Sequence, residues 1–582
     1  MRRCLDYGAQ EQKKRPRASG AFNRWGLKPV GSCSVAALSA QVAPRVGGVP
    51  TTVGRTQMLF GMHTIVNPFE RAAVARLLEF LSDQRPWCRS LWGIGVVLAM
   101  DELYEACVAM RQGHLSEGSV RRMASSLQRR VGAHPAFTDA EKAFLRQQVQ
   151  QVPRVDGATH FGIRELSARV SADYLARWSI AVSEGRFTVE HFARSVAAYL
   201  LDAGFAGQFL HDFIKSRVNA LQPITLPRLC DEIQAEMLNC PRREFEVLLA
   251  FASMPALPNG LPSSWLRPAE VIAWLREQNF EVAGVRASAG MVLKVQARDV
   301  FGAARAARNE SDRYSARALI ATGDALRRVP LLWVKGSRTA MPMKEDSRGV
   351  GVKELFREDR VFSTDVSHGV DAALELLAHL EGSSPPAAIA GGWAAIEGLL
   401  ADPSDRATAA DNLASLVTCS FPRAELTTLS YRAQAAHPQI CAALDAQPIN
   451  RERARILANL IISGRLPEMP AATDQAAVMR LRKLFANPGS QLQTIRDAIG
   501  EAFHRLYRQR NLILHGGRLD SVALSASLRT SAKLAGAGMD RITHGHYVQN
   551  LRPLELVAKA NLALALVNRD APLACLDMLE MN

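Results

Sequence analysis

Through most of the chain, apolar residues recur at the three-to-four spacing of an amphipathic helix. This pattern predicts helices from about residue 68 to 220, with clear stripes over 69–81 and 91–110. Residues 191–218 read as helix, glycine-containing turn, helix. Phe209, Leu210, Phe213 and Ile214 give its second helix a core face, which favours a bundle hairpin over a DNA-reading motif. Around 255–268 the composition shifts to Pro, Gly and Ser, the mark of a linker. Strand-like runs follow at 280–285, 291–296 and 329–334, around an Ala/Arg-rich helix over 297–326 in which Asp299 reads as a surface acid. Helical spacing then returns and predicts helices over 369–380, 388–401, 407–419, 423–435, 451–462, 476–485, 492–514 and 554–567. Short loops of Gly, Pro, Asp and Ser separate them, as in an antiparallel bundle. The stretch 516–550 is less regular and reads as a flexible excursion before the last helix.

These elements predict a mainly α fold: an N-terminal helical region, a small α+β middle module and a C-terminal helical bundle. The expected divisions are 1–60, 61–254, 265–362 and 365–582. Residues 1–60 have no sustained periodicity and hold ten Lys/Arg against two Asp/Glu. They read as a disordered basic tail, or as sequence upstream of a true start at Met58 or Met62.

Charge adds little to this picture. The net charge is +15, but the tail alone contributes 10 − 2 = +8. Residues 366–582 carry 21 basic and 20 acidic side chains, so the basic balance does not by itself mark a nucleic-acid-binding body. Nine cysteines are scattered with no CxxC pair, which argues against a zinc ribbon and fits reduced thiols in a cytoplasmic protein. No metal site or cofactor motif is expected. The best apolar run, 91–100, is about half the length needed to cross a bilayer, so no membrane segment is expected.

The stretch LYRQRNLILHGGRLD, 506–520, carries the chemistry. It ends a long amphipathic helix whose stripe runs through Leu492, Ile495, Ile499, Phe503 and Leu506, and continues onto Arg510. An arginine on a buried stripe needs an anionic partner or a groove to line. Asn511 and His515 are four apart and face the same side. Arg510 stands about 140° from His515 on an ideal helix, so only its long stem reaches the same groove. Gly516 and Gly517 stop the helix and leave His515 in the last turn, where the macrodipole favours positive charge.

The Arg-x4-His spacing is not distinctive in itself. Five such pairs occur: Arg129/His134, Arg186/His191, Arg432/His437, Arg510/His515 and Arg541/His546. Only Arg510 is followed by Asn, lies late in a long amphipathic helix and ends at a glycine pair.

RNLILHGG, 510–517, resembles the RNxxxH signature of HEPN domains, in particular the Apea-like HEPN proteins of prokaryotic antiviral and toxin systems. The resemblance covers roughly 365–582 and is sharp over 505–517. GGWAAIEGLLADP, 391–403, is similar to the family's earlier helix with its acidic residue, here Glu397. The resemblance implies an all-helical bundle and metal-independent cleavage of single-stranded RNA by 2′-hydroxyl attack. It assigns catalysis to Arg510, Asn511 and His515, with Glu397 in support. The residue types suit that chemistry: an imidazole moves protons, and a guanidinium holds the phosphate as charge builds. Arg505, Arg508 and Arg518 flank the motif with no acid between 502 and 519, and are expected to draw RNA. One motif offers one histidine for two proton transfers, so a homodimer or higher homo-oligomer is expected to supply the second. Residues 61–364 are then expected to sense a phage or host trigger in an abortive-infection system. A second reading stands beside this one: a non-catalytic helical scaffold, with Arg510 and His515 capping their helix and the bundle serving oligomerisation or partner binding.

Overall fold

The computed structural model describes residues 65, 67–220, 223–254, 260, 262–344, 347–364, 368–439 and 442–580. The tail expected over 1–60 lies outside the described residues. Everything described belongs to one compact unit, Arg55–Asn582.

The N-terminal part is a stack of helices: α1 (Pro68–Phe80), α2 (Val96–Arg111), α3 (Glu117–Gly132), α4 (Asp139–Gln148), α5 (Ala158–Ser183), α6 (Val189–Asp202), α7 (Gly207–Val218) and α8 (Leu226–Asn239). Their starts follow local chemistry. Asn67 accepts the Phe69 N–H ahead of Pro68, and Thr138 with Glu141 forms a capping box for α4. Trp178, Tyr174, Phe192 and Leu103 are buried in its core.

An α+β segment follows: β1 (Arg243–Ser253), α9 (Pro268–Glu277), β2 (Ala289–Ala297), α10 (Val300–Thr322), β3 (Arg327–Val334) and β4 (Met341–Pro342). Its four strands form one antiparallel sheet of order β2-β1-β3-β4. Val247 stands opposite both Leu293 and Val334. Phe245, Val247, Leu249 and Phe251 pack with α10, while Leu248, Ala250 and Trp333 pack with Val271 and Leu275 of α9. Both faces are therefore covered. The central strand β1 falls inside the segment expected to be helical, 61–254, because double burial erases the alternation that would have marked it. The expected strand over 280–285 is instead a loop after α9. Asp299 is buried rather than surface: it caps α10 through Gly302 N–H at 2.7 Å and accepts Ala206 N–H at 2.9 Å.

The C-terminal part comprises α11 (Glu354–Arg357), α12 (Gly369–Gly382), α13 (Pro385–Leu400), α14 (Thr408–Ala436), α15 (Ala442–Asp445), α16 (Asn450–Ile462), α17 (Ala472–Ala486), α18 (Pro488–Gly516), α19 (Leu524–Tyr547) and α20 (Pro553–Leu566). Two expectations change. The helices over 407–419 and 423–435 are one helix, α14, continuing through Pro422. The excursion over 516–550 is mostly the helix α19, so His546 lies in a helix and stacks on His368 at 3.9 Å. Helix α19 buries Ala, Ser and Gly alongside Leu528, Leu534, Met539 and Ile542, and the small residues let it pack by close approach. A Cβ on Gly536 would meet the Gly351 nitrogen at 2.6 Å.

Buried ion pairs join the two helical parts. Arg89 crosses from the N-terminal part to Glu425 at 3.1 Å and Asp474 at 3.0 Å, and its carbonyl accepts from Arg76, itself paired within the N-terminal part to Glu79 at 2.6 Å and Glu190 at 2.9 Å. Arg480 of α17 closes the set onto Glu425 at 2.8 Å. Leu512 and Ala526 of the C-terminal part sit in the N-terminal core, and Trp92 of the N-terminal part sits in the C-terminal one. Among the described residues, no helix is long and apolar enough to cross a membrane.

Candidate active site

Helix α18 presents the motif. It runs to Gly516 and stops at Gly517, whose φ of 61° is the left-handed cap that glycine adopts readily. The Gly517 and Arg518 N–H groups close onto the carbonyls of Ile513 and Leu512. Helical geometry then brings together the residues the motif predicted. Arg510 Nη1 donates to Asn511 Oδ1 at 3.0 Å and to His515 Nε2 at 3.1 Å. A guanidinium has donors only, so His515 Nε2 faces it as an acceptor. The imidazole is exposed, Asn511 is buried, and the Arg510 side chain is 18% exposed.

Glu397 comes from α13. Its Oε2 lies 3.9 Å from Arg510 Nη2, beyond hydrogen-bond reach but close enough for attraction. The same carboxylate accepts the Trp393 indole N–H at 2.5 Å and pairs with Arg406 at 2.9 Å. Trp393 is fully buried against Tyr507 of the motif helix. Glu397 thus ties Trp393 and Arg406 together and biases Arg510 without being its exclusive partner.

The flanking arginines do not form the expected RNA-facing patch. Arg505 and Arg508 are 3% and 2% exposed, and both bind Glu102 of α2: Arg505 Nε at 3.1 Å, Arg508 Nη2 at 3.0 Å. Arg518 binds Glu105 at 2.8 Å and Asp520 at 3.2 Å. The absence of acids between 502 and 519 was a local fact; the neutralising acids arrive from about 400 residues earlier in the chain. Burial pushes the Glu102 carboxyl up, but the Arg508 and Arg505 charges outweigh it and hold the group below the usual glutamate range. At Glu105 burial prevails over Ser521 and Arg518, and the carboxyl lies above that range.

Three further groups beside the motif were not singled out from the sequence. His504 Nε2 lies 2.9 Å from Asp411 Oδ1, with Arg122 of α3 on the same ring nitrogen. Arg406 shares Glu397. His114, from the turn after α2, lies against Gly516. Nothing in the local spacing of these residues marks them. Among the described residues, no group of three or more His, Cys, Asp or Glu is placed to hold a metal ion. Compared with family models, curated proteins and solved structures, the chain matches none.

Proposed function

We propose that this chain is a HEPN-type endoribonuclease, metal-independent and cytoplasmic, that cleaves single-stranded RNA as an effector of antiviral abortive infection. The observation that carries the reading is the Arg510 guanidinium hydrogen-bonded to both Asn511 and His515 at an exposed helix end. Arg510 engages the non-bridging oxygens of the scissile phosphate, where planar bidentate donors are worth most. His515, released from that contact, takes the 2′-hydroxyl proton. The 2′-oxygen attacks phosphorus and the 5′-oxygen leaves, giving a 2′,3′-cyclic phosphate and a 5′-hydroxyl. Asn511 and Glu397 hold Arg510 in place. In this reading two copies meet as a homodimer or higher homo-oligomer to complete the proton transfers, and residues 61–364 sense the phage or host trigger.

The test is incubation of the purified protein with labelled single-stranded RNA in EDTA. Wild type should cut, leaving cyclic phosphate ends. Arg510→Ala and His515→Ala should each lose the activity while keeping their helical content. Arg510→Lys should fold and lose most activity, since lysine keeps the charge and loses the planar fork. His437→Ala and His546→Ala should stay within a few-fold of wild type. An inert wild-type protein that still self-associates would favour the scaffold reading.

A further inference from the structure

Glu102 and Glu105 neutralise the arginines that flank the motif, so a chain that cuts RNA needs other cations to hold its polyanionic substrate. The charge of the folded body is concentrated in one place. Residues 61–264 hold 22 Lys/Arg and 21 Asp/Glu, and residues 366–582 hold 21 and 20. Residues 265–344, the α+β segment from α9 onward, hold 14 and seven. The excess positive charge of the body therefore sits in this segment. Eleven of its 14 cations are arginines, whose planar fork matches the oxygens of a phosphate.

Most of these arginines gather along α10. The helix has 23 residues and so a length of about 34 Å. It lays Ala303, Ala304, Ala307 and Ser311 toward the sheet and leaves Arg305, Arg313 and Arg317 exposed. One flank is fastened to the β3–β4 edge. Arg308 Nη2 and Nε donate to the Pro342 carbonyl of β4 at 2.7 and 3.1 Å, and one turn further on Asp312 takes Arg328 of β3. Arg327 opens β3, and Arg338 lies in the turn from β3 to β4. Seven arginines thus form a band along the helix and the neighbouring sheet edge. The acids between 300 and 340 are Glu310, Asp312 and Asp324, and the first two are taken by Arg313 and Arg328. Arg305, Arg317, Arg327 and Arg338 are exposed and pair with no acid among the described residues. Like charges spread over such a length repel one another, and a chain of phosphates relieves that repulsion while releasing its own counterions. A band of this extent suits a strand rather than a single phosphate.

We propose that this band is an electrostatic RNA-binding surface that holds single-stranded RNA by its phosphates, without reading sequence. It acts by raising the concentration of substrate at the protein, so its cations need not touch the scissile bond. The inference rests on the ribonuclease reading for its choice of RNA. It leaves the two-copy site as it stands and narrows the sensing role to the helices ahead of the band.

The test measures binding of labelled single-stranded RNA to the His515→Ala protein, which leaves the strand intact, by fluorescence anisotropy across a salt titration. For a single strand the logarithm of affinity falls against the logarithm of salt with a slope of about −0.7 per phosphate held. Arg305→Gln/Arg317→Gln/Arg327→Gln/Arg338→Gln on that background should weaken binding by about 10–500-fold at low salt and flatten the slope by about 2–3, alike for strands of different sequence. Arg121→Gln/Arg186→Gln/Arg465→Gln/Arg569→Gln removes four exposed arginines elsewhere and should stay within about twofold of its parent. Thermal melts of both should match the parent. A second measurement needs no substitution: bound RNA should shield the arginines of the band from phenylglyoxal, read by peptide mass, and leave the four control arginines reactive. An unchanged affinity and slope in the first variant, equal losses in the control, or no shielding of the band overturns the inference and leaves the ribonuclease reading to its own cleavage assay. Tighter binding to vesicles rich in phosphatidylserine than to RNA overturns it too, and makes the band a membrane contact. A wild-type protein that binds RNA through the band and cuts none removes the ribonuclease reading and leaves the band standing.

Discussion

Replacing Glu102 by Gln tests whether the two helical parts are held together by charge at the motif helix. Gln keeps the shape and one acceptor oxygen but removes the negative charge. Glu102 is 4% exposed and accepts from Arg505 Nε at 3.1 Å and from Arg508 Nη2 and Nε at 3.0 and 3.3 Å. The substitution leaves two buried guanidinium groups facing a neutral amide. Removing one partner from a buried ion pair costs about 3–5 kcal/mol. An unfolding entropy of about 2.1 cal/mol/K per residue over roughly 500 ordered residues gives about 1 kcal/mol/K, so the melting temperature should fall by about 3–5 °C. Calorimetric or fluorimetric melting measures this directly. The companion variant Glu102→Met/Arg505→Met/Arg508→Met removes every charge of the cluster and should recover most of the loss, because apolar groups of similar volume need no counter-ion. A drop below about 1 °C for Glu102→Gln, or a triple variant less stable than the single one, would refute the reasoning.

Three further outcomes are expected. Gly517→Ala forces a Cβ into a left-handed cap at φ 61° and should cost about 1 kcal/mol; an unchanged melting temperature would contradict the cap. A fragment spanning 365–582 uncovers Leu512, Ala476 and Ala526 and strips Arg505, Arg508 and Arg529 of their acids, so it should aggregate or melt well below the full chain, and a monodisperse, cooperatively folding fragment would show the parts to be separable. Acid should loosen the same interface. At Glu102, Glu190 and Glu425 burial raises the carboxyl, but the neighbouring arginines outweigh it and leave each group depressed. Their stabilisation is therefore present above the ordinary glutamate value near 4.3 and is lost as pH falls through the lower folded values. Stability that stays level from about pH 5 to pH 3 would exclude them as the fastening.

The sequence alone determined what is local. The helical periodicity fixed the mainly α class, and the contact of Arg510 with Asn511 and His515 followed from residues one and five positions apart on a single helix, where the backbone sets the angle and the long Arg510 stem spans it. The placement of Trp393 beside Glu397 was legible for the same reason, at four residues' separation. Where a pattern depended on what lay opposite, it misled. Strand β1 lost its alternation to burial on both faces, and α19, rich in Ala, Ser and Gly that read as irregular, packs those small residues by close approach. The fate of the motif's flanking charges belonged to tertiary structure alone. Arg505, Arg508 and Arg518 read as a phosphate-drawing patch until the fold set Glu102 and Glu105 against them, and His114 carried no signal until the same helix brought it to Gly516. Charge and proximity act through space, and only the folded chain decides which distant residues share that space.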